Sequence, residues 1–472
     1  MQRRTLALSG AALSLLAASA AQAQTTSGLR AGSAKVEITP AASLLTIPTD
    51  SIHDPLFARV IVVQSGGACA VLVGLDLTVA RNDLINAGTP RIASATGCAA
   101  ENIIISATHT HSSNTGGLGI APPLAPQVAD AIVLAATRAK AALRPARMGY
   151  GTTQVSLNVN RDLYTRGGAW RQAPNPDGPS DKTLAIVDLI GEDHVPIGVY
   201  LNYAMHPINF YLTGVISADC PGVASRSIEE LYDGKAVAIF SQGASGDQNP
   251  AFSERGGASR IRTGQGVQPE TIGAPPPPPT PPGVNSNTVQ TAAMANPVPA
   301  AQMEAYRRGL AVVTSRTDAM GVLIGQAALN TMRDETRRTA QASIWGGQRA
   351  FTCPGRDRLD AANPARENVF PGYKDGDPVN LKVGVLRIGD VNFVSVNGEV
   401  YSQIASRLKA ASPASKTLMV TLANGAANSG YIYADDAYSH LSFQVIGSRL
   451  KPGCAEDGII NNALGLIDEA SR

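Results

Sequence analysis

The chain has 472 residues, a formal net charge of +2 and 16% charged residues, with no block of basic residues anywhere along it. This balance argues against nucleic acid as a partner, because nucleic-acid-binding proteins carry clustered lysine and arginine. The chain is long for one hydrophobic core and short for three domains.

The N-terminus has the features of a secretory signal peptide over residues 1–23. Two arginines precede an apolar run at residues 6–18, and residues 21–23 (AQA) have the small-x-small pattern of a cleavage site. The paired arginines allow either Sec export or twin-arginine export, in which the protein leaves folded and with metal bound. No later run reaches the roughly 20 apolar residues that span a bilayer. We therefore expect a soluble protein that is periplasmic or secreted.

Strands alternate with helices along the rest of the chain, which predicts one α/β domain with a mixed sheet over residues 27–472. Helical spacing is found at residues 127–143, and at 302–337 with an interruption. The strands at residues 184–189 and 196–203 form a predicted hairpin, which places His194 in a solvated turn. All the strands are predicted at residues 31–39, 56–63, 70–77, 103–107, 184–189, 196–203, 237–241, 392–396 and 417–422.

Composition changes sharply at residues 254–299, where Gly, Ser, Asn and Pro dominate and five prolines are consecutive. Such a stretch has too little apolar surface to order itself. We interpret it as a surface insertion, because the strand pattern resumes after it.

Five cysteines occur without a Cys-x-x-Cys pair. In an oxidising compartment they predict one or two disulfides and at least one free thiol. The pairing stays open among Cys69, Cys98, Cys220, Cys353 and Cys454.

The most informative stretch is residues 102–117, NIIISATHTHSSNTGG, in which a buried strand leads to His109 and His111. Residues i and i+2 of an extended segment point to the same side. Both imidazoles are therefore expected to face one way at the carboxyl end of the strand, where open α/β sheets place ligand sites. The alternative is one hydrogen-bonded loop histidine beside a solvated one.

Three more candidate ligands follow predicted strands: His206, Glu399 and Tyr431. Two imidazoles and a carboxylate form the ligand set of a catalytic zinc site with an open position. Each residue also has an ordinary interpretation. His206 can be a hydrogen-bonded core histidine, Glu399 a charge favoured near the N-terminus of a helix opening at residue 400, and Tyr431 a packing residue.

The chain resembles the neutral/alkaline (non-lysosomal) ceramidases, zinc amidohydrolases that cut the N-acyl bond of ceramide. The resemblance rests on eight motifs in the family's order: AGSAKVEITP, LFARVIVV, SATHTHSSNTGG, NVNR, NYAMHP, SGDQNP, VNGE and NSGYIYADDAY. It implies the α/β catalytic domain of that family, with the metal site at strand carboxyl ends. It also implies a catalytic histidine at His111, a substrate-side arginine at Arg161, and Zn²⁺ ligands at His109, His206, Glu399 and Tyr431.

The chain differs from the family pattern in two respects. The family's second tyrosine, which looks like an oxyanion donor, is replaced by Phe443, and a phenyl ring cannot donate a hydrogen bond. Tyr433, Tyr438 and His440 are the nearby substitutes. The C-terminal immunoglobulin-like domain of better-known members is expected to be absent.

Three functions remain open on the sequence. The first is a secreted zinc amidohydrolase that cleaves ceramide or a related N-acyl lipid by metal-activated water. The second is a zinc amidase or esterase for a non-sphingolipid substrate, since fold does not fix substrate. The third is a metal-binding homologue with weak or no catalysis, suggested by Phe443. A metallophosphatase is disfavoured, because no Asp-x-His or Gly-Asn-His-Asp pattern occurs. Residues 116–124 (GGLGIAPPL) are either an ordinary buried loop or a contact for an acyl chain or for transient binding to a membrane surface.

Overall fold

The computed structural model describes residues 28–114, 125–252, 257–264, 294–335, 337–362, 365 and 367–472. The predicted signal peptide and the loop 116–124 lie outside these residues, as does most of the predicted insertion. No helix in the described part of the chain is long and apolar enough to cross a membrane.

The strands are numbered in chain order. They are β1 (Arg30–Glu37), β2 (Ser51–Ile52), β3 (Phe57–Ser65), β4 (Ala68–Leu75), β5 (Ile103–Ala107), β6 (Arg144–Gln154), β7 (Asn158–Tyr164), β8 (Trp170–Asn175), β9 (Thr183–Gly191), β10 (Pro196–Tyr203), β11 (Val215–Ile216), β12 (Val237–Gln242), β13 (Gln248–Pro250), β14 (Ile344–Arg358), β15 (Tyr373–Ile388), β16 (Val391–Val396), β17 (Glu399–Val400), β18 (Thr417–Val420) and β19 (Tyr431–Ile432).

The α-helices are numbered in the same way. They are α1 (Asn82–Thr96), α2 (Ala125–Ala141), α3 (Asp219–Leu231), α4 (Ala258–Arg262), α5 (Met303–Asp334), α6 (Ser402–Ala411), α7 (Phe443–Gly447) and α8 (Ala455–Glu469). Short 3₁₀ turns occur at Ala42–Leu44, Ala100–Asn102, Ala300–Gln302 and Asp435–Ala437.

Two mixed sheets form the body of the fold, which confirms the α/β class. The larger has the order β12-β10-β9-β6-β1-β3-β4-β5 and the smaller β14-β15-β16-β18. The larger sheet is joined at its middle by two residue pairs between β1 and β6. This short junction lets the sheet bend, so that its two halves and the smaller sheet face one central core.

Alternation along each strand assigns side chains to this central core or to an outer helical layer. In β3, Ile61 and Val63 face the central core, whereas Val60 and Val62 pack under α1 and α2. Outside the other half, α3 and α5 cover β9, β10 and β12. In the same way, α6 and α8 cover the smaller sheet. Each fully buried aliphatic side chain contributes about 1.5–3 kcal/mol to folding, so these layers supply most of the driving force.

The bend brings strands from the two opposite halves of the larger sheet close together. A Cβ on Gly74 of β4 would lie 2.6 Å from Cγ2 of Ile239 on β12. Only glycine allows this approach without displacing Ile239. The carboxyl ends of β5 and β10, which carry the candidate histidines, therefore meet at one side of the molecule.

The structure confirms several predicted elements and corrects others. The strand at residues 103–107 and the hairpin of β9 and β10 are confirmed, with His194 exposed in its turn. The interruption predicted within residues 302–337 is wrong, because α5 is continuous for 32 residues. Its Gly321 lies where a Cβ would meet Val223 of α3 at 2.4 Å, so this glycine serves close helix packing.

Residues 257–264 and 294–299 of the predicted insertion are described, and they include side chains buried in a small core. Within it, α4 buries Ala258 and Ile261 in a small core with Val298 and Tyr306. The buried Arg262 bonds to the carboxylate of Asp50 at 2.8 Å. Apolar contacts and a buried ion pair therefore hold residues 257–264 in place.

The structure contains two disulfides, in agreement with the prediction of one or two. Cys69 pairs with Cys98, and Cys353 pairs with Cys454. Cys220 is free and buried.

Candidate metal centre

The first histidine pair lies in a loop that β5 opens. This strand ends at Ala107, and His109 adopts a left-handed backbone with φ of 68°. The loop is fixed against the segment after β4 by the His109 amide, which donates to the Leu77 carbonyl at 2.9 Å. His109 and His111 are close together, as predicted, but loop geometry rather than strand alternation brings them there. The left-handed conformation of a non-glycine residue is the kind of local strain found at functional sites.

The second histidine follows β10 and is fully buried. The amide of His206 donates to the carbonyl of Gln248 at 3.0 Å, which holds it beside the loop after β12. Like β5 beside β4, β10 forms a parallel pair with β12. Beyond the end of each pair, backbone groups no longer bond within the ladder, so they can bond to the loops that carry His109 and His206.

Glu399 and Tyr431 come together through a feature that the sequence did not reveal. They are paired residues of the short parallel ladder between β17 and β19. Because α6 begins at Ser402, the interpretation of Glu399 as a charge at a helix opening at residue 400 is wrong. Its position is set by strand pairing.

Three of the predicted ligand atoms form a nearly equilateral triangle. Nε2 of His109 lies 3.1 Å from Nε2 of His206, and Oε2 of Glu399 lies 3.3 Å and 3.4 Å from these two nitrogens. Ligand atoms bound to one tetrahedral ion at 2.0–2.1 Å are separated by roughly 3.3 Å. Within the described part of the chain, Oε2 of Glu399 is also buried without a hydrogen-bond partner. The donor set and its spacing fit a small divalent metal ion.

Backbone carbonyls orient both imidazoles towards this triangle. Nδ1 of His109 donates to the Thr78 carbonyl at 2.6 Å, and Nδ1 of His206 donates to the Ser245 carbonyl at 2.7 Å. Each bond fixes the tautomer with the Nε2 lone pair facing inward, as metal-binding histidines require. Burial lowers the pKa of His206 to about 3, so its imidazole is neutral at pH 7.

His111 lies beside the triangle and differs from the other two histidines. Its Nε2 is 3.2 Å from Nε2 of His109, and the three imidazoles form one cluster able to hold a metal ion. Its Nδ1, however, has no hydrogen-bond partner among the described residues. Metal-bound histidines almost always donate this second nitrogen. The difference favours a proton-transfer role for His111, which stays a prediction.

Electrostatics link the carboxylate to Tyr431 and Arg161. Burial alone would raise the pKa of Glu399, but His109 and His206 hold it well below the usual value. The guanidinium of Arg161 lies 5.2 Å from the Tyr431 ring centre and donates to the Gly246 carbonyl at 2.5 Å. Burial opposes its charge, yet the Tyr431 phenol and nearby carboxylates raise its pKa. Nε of Arg161 is buried and has no hydrogen-bond partner among the described residues.

The structure also places Phe443 and the suggested substitutes for the missing tyrosine. The ring of Phe443, 39% exposed, packs edge-on against Tyr431 with ring centres 6.0 Å apart. Among the substitutes, Tyr433 already donates its hydroxyl to the Leu450 carbonyl. Tyr438 stacks on Tyr433, and His440 stacks on Trp170. None of these contacts brings a donor to the histidines.

Sequence reasoning missed the residues that support the site. The ring of Tyr211 meets that of His111 edge-on with centres 5.1 Å apart. The Asp247 carboxylate accepts from the Ser402 amide at 2.8 Å, which holds the start of α6. No short-range pattern marks these residues, because their partners are distant in the chain.

Comparisons with known proteins agree with this picture. Residues 45–265 match the family model described as neutral/alkaline non-lysosomal ceramidase, N-terminal. The neutral ceramidase of Pseudomonas aeruginosa is 29% identical over 178 residues, which span 33% of this chain and 25% of that protein.

Two solved structures share the fold. The crystal structure of neutral ceramidase from Pseudomonas aeruginosa has a TM-score of 0.65 at 17% identity, covering 94% of this chain and 75% of that one. A structure described as ceramidase complexed with C2 has a TM-score of 0.67, with the same identity and coverage.

Proposed function

Because this chain belongs to the neutral/alkaline ceramidase family, we propose that it hydrolyses the N-acyl amide bond of ceramide or a related N-acyl lipid, using zinc. The observation that carries the proposal is the triangle of His109 Nε2, His206 Nε2 and Glu399 Oε2, with edges of 3.1, 3.3 and 3.4 Å. Oε2 of Glu399 is buried and has no hydrogen-bond partner among the described residues. Ordinary hydrogen bonding therefore does not explain why these three atoms converge, whereas a shared metal ion does.

Zinc suits this donor set better than a hard cation does. Imidazole nitrogens and one carboxylate are typical zinc ligands, whereas calcium and magnesium prefer all-oxygen sites. The proposed ligands are His109, His206, Glu399 and Tyr431. A zinc ion held by these residues would supply a Lewis acid for the amide carbonyl and would lower the pKa of water towards neutrality.

The remaining side chains have separate roles in the proposed reaction. Nε2 of His111 takes a proton from the attacking water and delivers it to the leaving amide nitrogen, so that a free fatty acid and an amine result. The positive charge of Arg161 lies against Tyr431 and keeps the phenol oriented towards Glu399. Its unpartnered Nε is available to a polar group of the substrate.

We also propose that the protein acts outside the cytoplasm, in the periplasm or secreted. Two disulfides within the described residues support this location, because such bonds persist in oxidising compartments. A pulse-chase fractionation of the full chain tests it, with a mature N-terminus near residue 24 as the expected result.

The substrate is open to a second candidate, because Phe443 provides no hydroxyl beside Tyr431. An enzyme without that donor would suit an N-acyl or ester substrate that is more reactive than ceramide. This alternative predicts faster cleavage of an activated acyl ester than of ceramide.

The experiment that tests the function is hydrolysis by the zinc-loaded protein of a small panel of substrates. The panel contains ceramide in mixed micelles, an N-acyl amino acid and a p-nitrophenyl acyl ester. Release of fatty acid and a free amine from ceramide, abolished by a chelator and restored by zinc, is the expected result. Cleavage of the ester alone favours the second candidate, and cleavage of nothing in the panel contradicts hydrolysis.

A further inference from the structure

One buried side chain connects the two strand ends that carry His109 and His206. Gln242 is the last residue of β12 and is fully buried. Its Nε2 donates to the carbonyl of Thr108 at 2.8 Å and to that of Met205 at 2.9 Å. Thr108 immediately precedes His109, and Met205 immediately precedes His206.

The amide group of Gln242 has the hydrogen-bonding capacity that this position needs. A primary amide nitrogen carries two protons, and each of them has one carbonyl acceptor here. The Oε1 atom in turn accepts from the Met205 amide at 3.3 Å. The reverse orientation of the amide would place Oε1 against two carbonyl oxygens, so the network fixes the orientation of the side chain.

This connection spans parts of the sheet that are not neighbours in its hydrogen-bond order. In the larger sheet β5 and β12 are the two edge strands, and no ladder joins them. The bend brings them together, and Gln242 then links the end of β5 to the end of β10. Removal of the amide leaves two buried carbonyl oxygens facing each other without a donor.

We propose that Gln242 is a positioning residue that sets the separation of the His109 and His206 imidazoles for metal binding. The inference rests on the metal site of the proposed function. Two ligands whose loops are held in place by hydrogen bonds of the protein itself need little rearrangement on binding. Such preorganisation raises affinity, because less ordering is left to the binding step.

A matched variant separates positioning from simple stability. Asn202 of β10 is also buried, and its Nδ2 donates to Oγ of Ser241 at 3.0 Å and to the carbonyl of Met419 at 2.9 Å. It therefore links strands as Gln242 does, but its two acceptors belong to neither histidine loop. Gln242→Met and Asn202→Leu both replace a buried amide by an apolar side chain of similar volume.

The test measures zinc dissociation constants by chelator competition, and the absorption spectrum of the cobalt-substituted protein. Gln242→Met is expected to weaken zinc binding about 10–100-fold, the usual effect of losing a group that orients metal ligands, and to shift the cobalt bands. Asn202→Leu is expected to lower the melting temperature with zinc affinity and cobalt bands unchanged. Equal affinity of Gln242→Met and the unmodified protein overturns the inference, and so does an equal loss in both variants.

If Gln242→Met does not fold, Gln242→Glu is the second variant. It keeps the volume and the acceptor for the Met205 amide but cannot donate to both carbonyls, so weaker zinc binding is again expected. Unchanged affinity in this variant overturns the inference. Absence of zinc binding by the unmodified protein would instead contradict the proposed function, so the two failures are distinguishable.

Discussion

Replacing Phe443 by tyrosine restores the phenol that the resemblance to the ceramidases leads us to expect. The ring is the first residue of α7 and packs 6.0 Å from the Tyr431 ring, so a hydroxyl there lies at the edge of the candidate site. One oxyanion donor changes turnover by about 10²–10³, equivalent to about 3–4 kcal/mol. We therefore expect Phe443→Tyr to raise kcat for ceramide by about two orders of magnitude with little change in KM.

The exposure of Phe443 decides what the variant does to stability. A hydroxyl buried without a partner costs about 1–3 kcal/mol. Because the side chain is 39% exposed, water can reach the new hydroxyl. The expected change in the free energy of unfolding is within about 0.5 kcal/mol, as for most surface substitutions.

The assay compares kcat, KM and melting temperature with those of a matched control. Phe370→Tyr adds the same hydroxyl to an exposed phenylalanine that packs on Tyr373. It should leave kcat unchanged. An unaltered kcat in Phe443→Tyr, with zinc content and melting temperature retained, would refute the oxyanion argument and favour the non-sphingolipid substrate.

Three further predictions concern proton transfer, pH dependence and the disulfides. His111→Ala should keep stoichiometric zinc while hydrolysis falls about 10²–10⁴-fold, and loss of the zinc would make His111 a ligand instead. Burial raises the pKa of Asp247 to about 6, so its contribution to stability is present below about pH 4 and is lost as pH rises through 6. The difference in unfolding free energy between Asp247→Asn and the unmodified protein should therefore shift by about 3 kcal/mol in favour of the variant as pH rises from 4 to 7. Denaturant titrations that give the same difference at both pH values contradict this. Serine at both Cys353 and Cys454, which close a loop of 101 residues, should cost about 2–5 kcal/mol, and an unchanged melting temperature argues against that bond.

The sequence predicted the individual strand ends of the candidate site well, because local patterns determine them. The run of isoleucines at residues 103–105 marks β5, and the polar loop after it marks the end of that strand. Two mainly apolar runs separated by the turn Gly-Glu-Asp-His likewise marked the hairpin of β9 and β10. The grouping of His109 with His111 was right, although a left-handed residue in a loop is responsible for it.

Contacts between distant parts of the chain could not be predicted in the same way. The bend of the larger sheet depends on how its two halves and the smaller sheet pack around one central core. The approach of Gly74 to Ile239 is visible only after folding. The pairing of Glu399 with Tyr431 joins residues 32 positions apart through a ladder of two residues, which is too short to produce a periodic signal. The disulfide pairing likewise follows from the tertiary fold.

Glutamine at position 242 illustrates the same limit. A polar residue at the end of a buried strand looks unfavourable by sequence, and nothing nearby indicates its partners. Its two acceptors lie 134 and 37 residues away. The function of such a residue can be inferred only when both strand ends are seen together.

The proposed amide hydrolysis depends on one metal ion held by His109, His206 and Glu399. The measurement is the zinc content per chain of His206→Ala. The control is His194→Ala, which changes an exposed histidine in a turn. We expect about one zinc in the unmodified protein and in His194→Ala, and none in His206→Ala. Stoichiometric zinc in His206→Ala would contradict it.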